Sequence, residues 1–310
     1  MRRRSNNGTG RRKFLAATAA TLAVMGLPRS VLSQQGETLA LGGRLHVLRG
    51  FGGNVVAFDG SDGLLLVDSG APARTSGLAS ALTGLGSGSV STLFNTHWHI
   101  DQVGGNEYFG SRGATIIAHD KTLQYLSTPY YLFEEERYQQ PLPKAAQPAE
   151  VFFDGGELTS GGETIRYGYL QSAHTNADIY VHFTGANVIA VGDVVSPEID
   201  PGFDWFSGGW IGGRVDSLNR LLEIGDAQTR YVPSYGPVIG RANVEAERDM
   251  MQFLYDALVD QIRMGFDWRD SLATGVMDNL PRKLDDPAKF LYDAHKGLWA
   301  QHNKLEPNIV

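Results

Sequence analysis

The chain has 310 residues, 42% of them hydrophobic and 20% charged, enough for one large domain or two small ones with a proper core. It has no cysteine, which excludes disulfides and thiolate ligands and leaves His, Asp, Glu and weaker oxygen donors for any metal. The formal net charge is −7; residues 1–33 hold seven basic and no acidic side chains, so without them it would be −14, a balance that disfavours a nucleic-acid partner.

The N-terminus reads as an address. Gly10-Arg11-Arg12-Lys13-Phe14-Leu15 sets an arginine pair before Phe-Leu, and a weakly hydrophobic run follows from Ala16 to Leu27. This is the layout of a twin-arginine bacterial export signal, with Val31 and Ser33 putting the cut near Ser33-Gln34. The run is too short to span a bilayer stably. The expectation is a periplasmic or secreted protein, exported folded and free of the membrane once the signal is removed.

Leu39 to Leu48 and Asn54 to Phe58 read as strands separated by Gly52-Gly53. After the turn at 59–63, Leu64-Leu65-Leu66-Val67 is wholly apolar and reads as a buried central strand ending in Asp68-Ser69-Gly70. A helix is expected over Thr75 to Leu85, a strand at Ser91 to Asn95, a short helix after Gly104-Gly105, a strand at Ala114 to Ala118 and a helix at His119 to Leu126. Residues 127–148, with four prolines, read as an irregular excursion near the site. Val151 to Phe153, Glu163 to Leu170, Ile179 to Phe183 and Val188 to Val191 form a second, largely antiparallel set of strands. A helix at Val215 to Ile224, a strand at Thr229 to Val232 and helices over 243–264, near 270–277 and over 287–301 complete the chain. Strands with helices in both halves predict two sheets packed face to face with helices outside.

The chemistry concentrates at Thr96-His97-Trp98-His99-Ile100-Asp101-Gln102. In extended chain alternate residues point the same way, so His97, His99 and Asp101 could converge on one zinc-like ion. An HxH pair alone reads equally well as a solvated polar loop. His174 adds a third imidazole at a strand end, Asp193 follows the apolar run Ala190-Val191-Gly192, and Tyr235 sits in the turn Val232-Pro233-Ser234-Tyr235-Gly236-Pro237. Three histidines with one open position describe a catalytic zinc site.

Together these pieces resemble the metallo-β-lactamase superfamily. Asp68-Ser69-Gly70, His97-x-His99-x-Asp101, Gly104-Gly105, His174-Thr175 with Asp178, Gly192-Asp193 and the turn at 233–237 occur in family order and cover about residues 38–240. The resemblance implies an α/β (α+β) four-layer αββα sandwich, with residues 241–310 as C-terminal helices packed on the same domain. It implies a metal-bound water as nucleophile, His97, His99 and His174 around a first metal, Asp101 in a second site and Asp193 bridging. Two family histidines are replaced, by Gln102 and Tyr235, and both belong to the second site. One zinc is therefore the leading expectation, a second, weaker ion held by Asp101, Asp193, Gln102 and Tyr235 the next, and metal kept without catalysis the third.

With one zinc, Asp101 would orient the water or take its proton, and Tyr235 would donate to an oxyanion or leaving group; Tyr235 packing in its turn reads equally well. The aromatics of residues 199–213 (Phe203, Trp205, Phe206, Trp210) and Tyr130, Tyr131 and Phe133 are candidate substrate walls. Arg214 is the one nearby candidate for clamping a substrate carboxylate, so β-lactam hydrolysis is not favoured. The expected activity is a secreted zinc hydrolase of a small ester, lactone, thioester or amide. The alternatives are a non-catalytic periplasmic metal- or ligand-binding protein and iron-based redox chemistry.

Overall fold

The fold begins with a hairpin rather than one strand. In this computed structural model, which describes residues 36–86 and 88–301, β1 (Glu37–Gly42) and β2 (Leu45–Arg49) pair antiparallel about a turn in which Gly42 and Gly43 have φ of 100° and 58°. Only glycine takes such angles freely, which is why the expected 39–48 strand breaks there. The expected export signal lies outside the described residues.

β3 (Val55–Asp59) and β4 (Leu64–Val67) continue the antiparallel run. Helix α1 (Thr75–Leu82) then crosses to β5 (Val90–Phe94), which lies parallel to β4. Two short helices, α2 (Ile100–Val103) and α3 (Asn106–Gly110), lead to β6 (Thr115–His119) and α4 (Asp120–Ser127). The stretch expected to be irregular holds a separate hairpin, β7 (Tyr130–Leu132) and β8 (Arg137–Gln139). β9 (Glu150–Phe152) closes the first sheet, ordered β1-β2-β3-β4-β5-β6-β9.

The second sheet starts with β10 (Gly155–Ser160), a polar and mostly exposed strand that apolar patterning does not reveal. β11 (Glu163–Tyr169), β12 (Ile179–Phe183) and β13 (Val188–Gly192) follow antiparallel. Helix α5 (Ile211–Ile224) then crosses to β14 (Arg230–Pro233), parallel to β13, and β15 (Ile239–Gly240) forms the edge. The chain ends in α6 (Arg241–Arg263), α7 (Trp268–Ala273) and α8 (Pro287–Ala300).

β4 shows why the sheets stack as they do. Leu65 and Val67 face the second sheet and pack in one cluster with Ile179, Val181 and Val232. Leu64 and Leu66 face the other way and pack with Leu78 and Leu82 of α1. A strand covered on both sides has no place for a polar residue, and each such leucine contributes roughly 1.5–3 kcal/mol of burial. On the far side of the second sheet, Ile189, Val191 and Tyr231 pack with Leu218 and Leu221 of α5, Leu254 and Leu258 of α6, and Leu291 and Leu298 of α8. The layers are thus α, β, β, α, with the C-terminal helices part of the outer layer. Among the described residues no helix is long and apolar enough to cross a membrane.

α5 begins at Ile211, four residues before the expected start, because Gly212 and Gly213 are helical. A Cβ on Gly213 would lie 2.1 Å from Ser172 O, so glycine lets the helix approach the His174 loop. The approach carries the next residue, Arg214, into full burial.

Candidate metal centre

The site forms where the C-terminal ends of β5 and β13, on the two facing sheets, come together. β5 stops at Phe94, and Asn95 to His99 run as an irregular segment rather than extended strand. Asp68, just past β4, takes a left-handed φ of 64° and accepts from Thr96 N at 2.8 Å and Thr96 Oγ1 at 2.7 Å. That carboxylate fixes the chain ahead of His97. The second sheet is stitched to the same segment by Ile179 N, which donates to Thr96 O at 2.9 Å. Asp178 organises the His174 turn, accepting from His174 N, Thr175 N and Thr175 Oγ1. Gly192 has φ 58°, and a Cβ there would stand 2.9 Å from Thr96 Cβ; only glycine lets Asp193 enter so close to the histidines.

The three imidazoles converge. Ring centroids are 4.8 Å apart for His97 and His99, 5.0 Å for His97 and His174, and 4.9 Å for His99 and His174. Asp193 Oδ2 lies 3.5 Å from both His97 Nε2 and His174 Nε2. One ligand atom from each of these four residues falls within 4.8 Å of the others.

The outward-facing partners decide where each ring keeps its lone pair. Thr96 Oγ1 gives its proton to Asp68, so at 3.1 Å it accepts from His97 Nδ1–H. Gly202 O is a carbonyl and accepts from His174 Nδ1–H at 2.9 Å. Asp204 Oδ2 accepts from His99 Nε2–H at 3.1 Å. The inward atoms are therefore His97 Nε2, His99 Nδ1 and His174 Nε2, each offering a lone pair when its ring is neutral. His99 Nδ1 and His174 Nε2 stand 3.1 Å apart, and buried His97 Nε2 has no hydrogen-bond partner. Two bonds of about 2.05 Å at the tetrahedral angle would set such nitrogens about 3.3 Å apart. The donor set fits a divalent cation.

Burial and the neighbouring imidazoles hold the His97 pKa well below the usual histidine range. Burial also opposes charge on His99, but the hydrogen bond and charge of Asp204 outweigh it and hold its pKa up at about 9. The same pair holds Asp204 down at about 2 against its own burial. A cation and a proton thus compete for His99.

Asp101, Gln102 and Tyr235 form a second group beside the first. Asp101 lies in the first turn of α2, not on extended chain, and stands outside the four-residue cluster. Its Oδ2 accepts from Gln102 Nε2 at 2.9 Å and from the Tyr235 hydroxyl. Gln102 is fully buried, with its Oε1 unpartnered. Burial, then the charges of Asp101 and Asp193, push the Tyr235 hydroxyl far above its ordinary pKa, so it remains a phenol.

A cavity of about 400 Å³ opens on His99, His174 and Asp101. Phe203, Trp205 and Phe206 line it on one side, and Tyr130, Tyr131 and Phe133 of the β7–β8 hairpin on the other. Trp210, expected in this wall, packs instead in the core between the second sheet and its helices. Arg214 is not a substrate clamp: it is buried, bonding Glu247 Oε1 at 2.8 Å, Ser196 Oγ at 2.7 Å and Gly202 O at 3.2 Å. Residues the sequence did not point to are Asp204, which anchors His99, and Lys289 and Asp293 of α8, which line the cavity. Asp204 carries a weak signal in hindsight, as an acid among the aromatics of that loop.

The sequence of residues 48–249 matches the family model of the metallo-beta-lactamase superfamily. No curated protein matches the sequence. Among solved structures, a metallo-beta-lactamase from Pontibacter korlensis has 17% identity and a TM-score of 0.56, covering 70% of this chain and 99% of that one. One from Hirschia baltica has 18% identity and a TM-score of 0.54, covering 70% and 98%. The stereoselective inverting sec-alkylsulfatase from Pseudomonas sp. has 13% identity and a TM-score of 0.61; 88% of this chain is covered, but only 51% of that one. The layered fold, the histidine cluster at the strand ends and the match over residues 48–249 agree: the chain belongs to the metallo-beta-lactamase superfamily.

Proposed function

We propose that this protein is an exported zinc hydrolase of small-molecule esters, lactones, thioesters or amides, with one ion held by His97, His99 and His174. The observation that carries the reading is the convergence of three imidazole lone pairs, each fixed by a partner on the ring's far side. When bound there, zinc supplies Lewis acidity and brings the pKa of a water to about 7.

The protein's own groups do the rest. Tyr235 and Gln102 both donate to Asp101 Oδ2, which among the described residues leaves Oδ1 to accept a proton from an attacking water. The proton then passes from Asp101 to the leaving group. Tyr235 holds the Asp101 carboxylate in place and keeps its own proton. Asp193, 3.5 Å from two of the imidazoles, balances charge at the cluster. The aromatic walls exclude water from the apolar part of the substrate. The replaced second-site histidines favour one ion over two, and they also support a second reading, a metal- or ligand-binding protein without turnover. The arginine pair at Arg11-Arg12 supports export to the periplasm or medium.

Metal content and turnover separate the readings. The exported protein should carry one zinc per chain and hydrolyse chromogenic esters or lactones faster than a cephalosporin or a sec-alkyl sulfate. Full metal loading with no turnover on that panel supports the binding protein instead.

A further inference from the structure

The wall of the cavity beside the histidine cluster is unbalanced in charge. Seven carboxylates and a single lysine line it. The lysine is not available: Lys289 Nζ bonds Asp293 Oδ2 at 2.7 Å and is also bonded by Glu134, at the tip of the β7–β8 hairpin. Arg214 is buried, paired with Glu247 and not itself a lining residue. Away from the metal site, a negative group on a substrate would therefore meet carboxylates, with no lysine or arginine left free among the described lining residues, and would be repelled at short range.

The same wall is suited to the opposite charge. Phe133 and Phe206 stack at 5.7 Å between centroids, and Trp205 meets Phe133 edge-on at 5.1 Å, making an aromatic rim beside Glu134 and Glu135. Trp205 already attracts one ammonium, with Lys296 Nζ 5.6 Å from its ring centroid. Aromatic faces backed by carboxylates hold alkylammonium groups through cation–π attraction and charge together.

We propose that this pocket selects substrates whose apolar body carries a positive charge, a protonated or quaternary amine, and rejects anionic ones, with Glu134 and Asp293 acting as specificity determinants by neutralising Lys289. The inference rests on the hydrolase reading for turnover but not for binding.

Binding and turnover test it separately. By titration calorimetry, with and without zinc, phenyltrimethylammonium should bind at least about tenfold tighter than benzyl alcohol, and benzenesulfonate more weakly than either. The advantage of the cation should shrink as ionic strength rises from about 0.01 M to 1 M. E134Q/D293N, which frees Lys289, should gain affinity for benzenesulfonate and lose it for the cation. E134Q alone, at an exposed site, should likewise raise the affinity for benzenesulfonate and lower that for the cation, each by about threefold, and covers the case in which the double variant does not fold. In turnover, the phenylacetate ester of choline should exceed that of its neutral isostere 3,3-dimethylbutanol in kcat/KM by about tenfold. Equal or tighter binding of benzenesulfonate to the native chain overturns the proposal. If no ester turns over while the binding order holds, the hydrolase reading fails and this inference stands.

Discussion

The Tyr235 hydroxyl donates to Asp101 Oδ2, joining two residues 134 positions apart in the chain. The contact assigns Tyr235 the part of a neutral donor, since burial and two carboxylates hold its proton on. Tyr235→Phe should therefore leave metal content at the native level and lower kcat by roughly tenfold to a hundredfold as Asp101 loses its anchor. Asp101→Asn should lower it further, by roughly a hundredfold to ten-thousandfold. Steady-state kinetics beside metal analysis check both. Loss of zinc from the Tyr235 variant would mean that the phenol belongs to the ion rather than to the carboxylate.

Asp204 accepts from His99 on the side of the ring away from the cluster. A carboxylate behind a ligating histidine fixes its tautomer and raises its basicity. Asp204→Asn should weaken zinc binding by about 10–100-fold, read by competition with a chromogenic chelator. A similar substitution at Asp200, which accepts instead from the amides of Asp285 and Asp286 at 2.9 and 2.8 Å, should leave zinc affinity unchanged.

Arg214 links the helical layer to the histidine cluster. It pairs with Glu247 of α6 and donates to Gly202 O, the carbonyl that also receives His174 Nδ1–H. Arg214→Leu strands a buried carboxylate and should cost about 3–5 kcal/mol in denaturant unfolding. Pairing it with Glu247→Gln should recover part of that loss, because the stranded charge is removed.

Burial raises the Asp293 carboxyl to about 6, although its bond to Lys289 pulls the other way. An acid whose folded pKa lies above its unfolded value near 3.9 favours the fold at low pH. Its contribution is present below about pH 4 and is lost as pH rises to about 6, a change on the order of 2–3 kcal/mol. Asp293→Asn should remove that slope, so the stability difference between native and variant chains should change across this window and stay flat above it. Unfolding free energies measured from pH 4 to 8 give the answer.

Much of this fold is legible in the residues because burial writes itself into composition. The apolar run at Leu64 to Val67 declares a strand covered on both faces, and the helical spacing of Met250, Leu254 and Leu258 declares α6. The cluster histidines are legible because their spacing and strand-end positions are local. What stays hidden is set by partners far along the chain. β10 is polar because most of it is exposed, though Leu158 packs against the inter-sheet core, and the β7–β8 hairpin sits in a segment whose prolines suggest disorderly chain. Asp204, Lys289 and Asp293 gain meaning only once the 199–213 loop and α8 fold back beside His99. Arg214 misleads for the same reason: two glycines carry it inward, a consequence of α5 meeting Ser172.

His97 and His99 come from the first sheet, while His174 and Asp193 come from the second. Neither half of the polypeptide holds a complete grip, so an ion cannot be captured tightly by a nascent chain until His174 has been synthesised and the halves have docked. Uptake of the proposed ion would then be a late event, completed only in finished molecules. Depriving a loaded protein of its ion should loosen the junction between the sheets before either sheet melts.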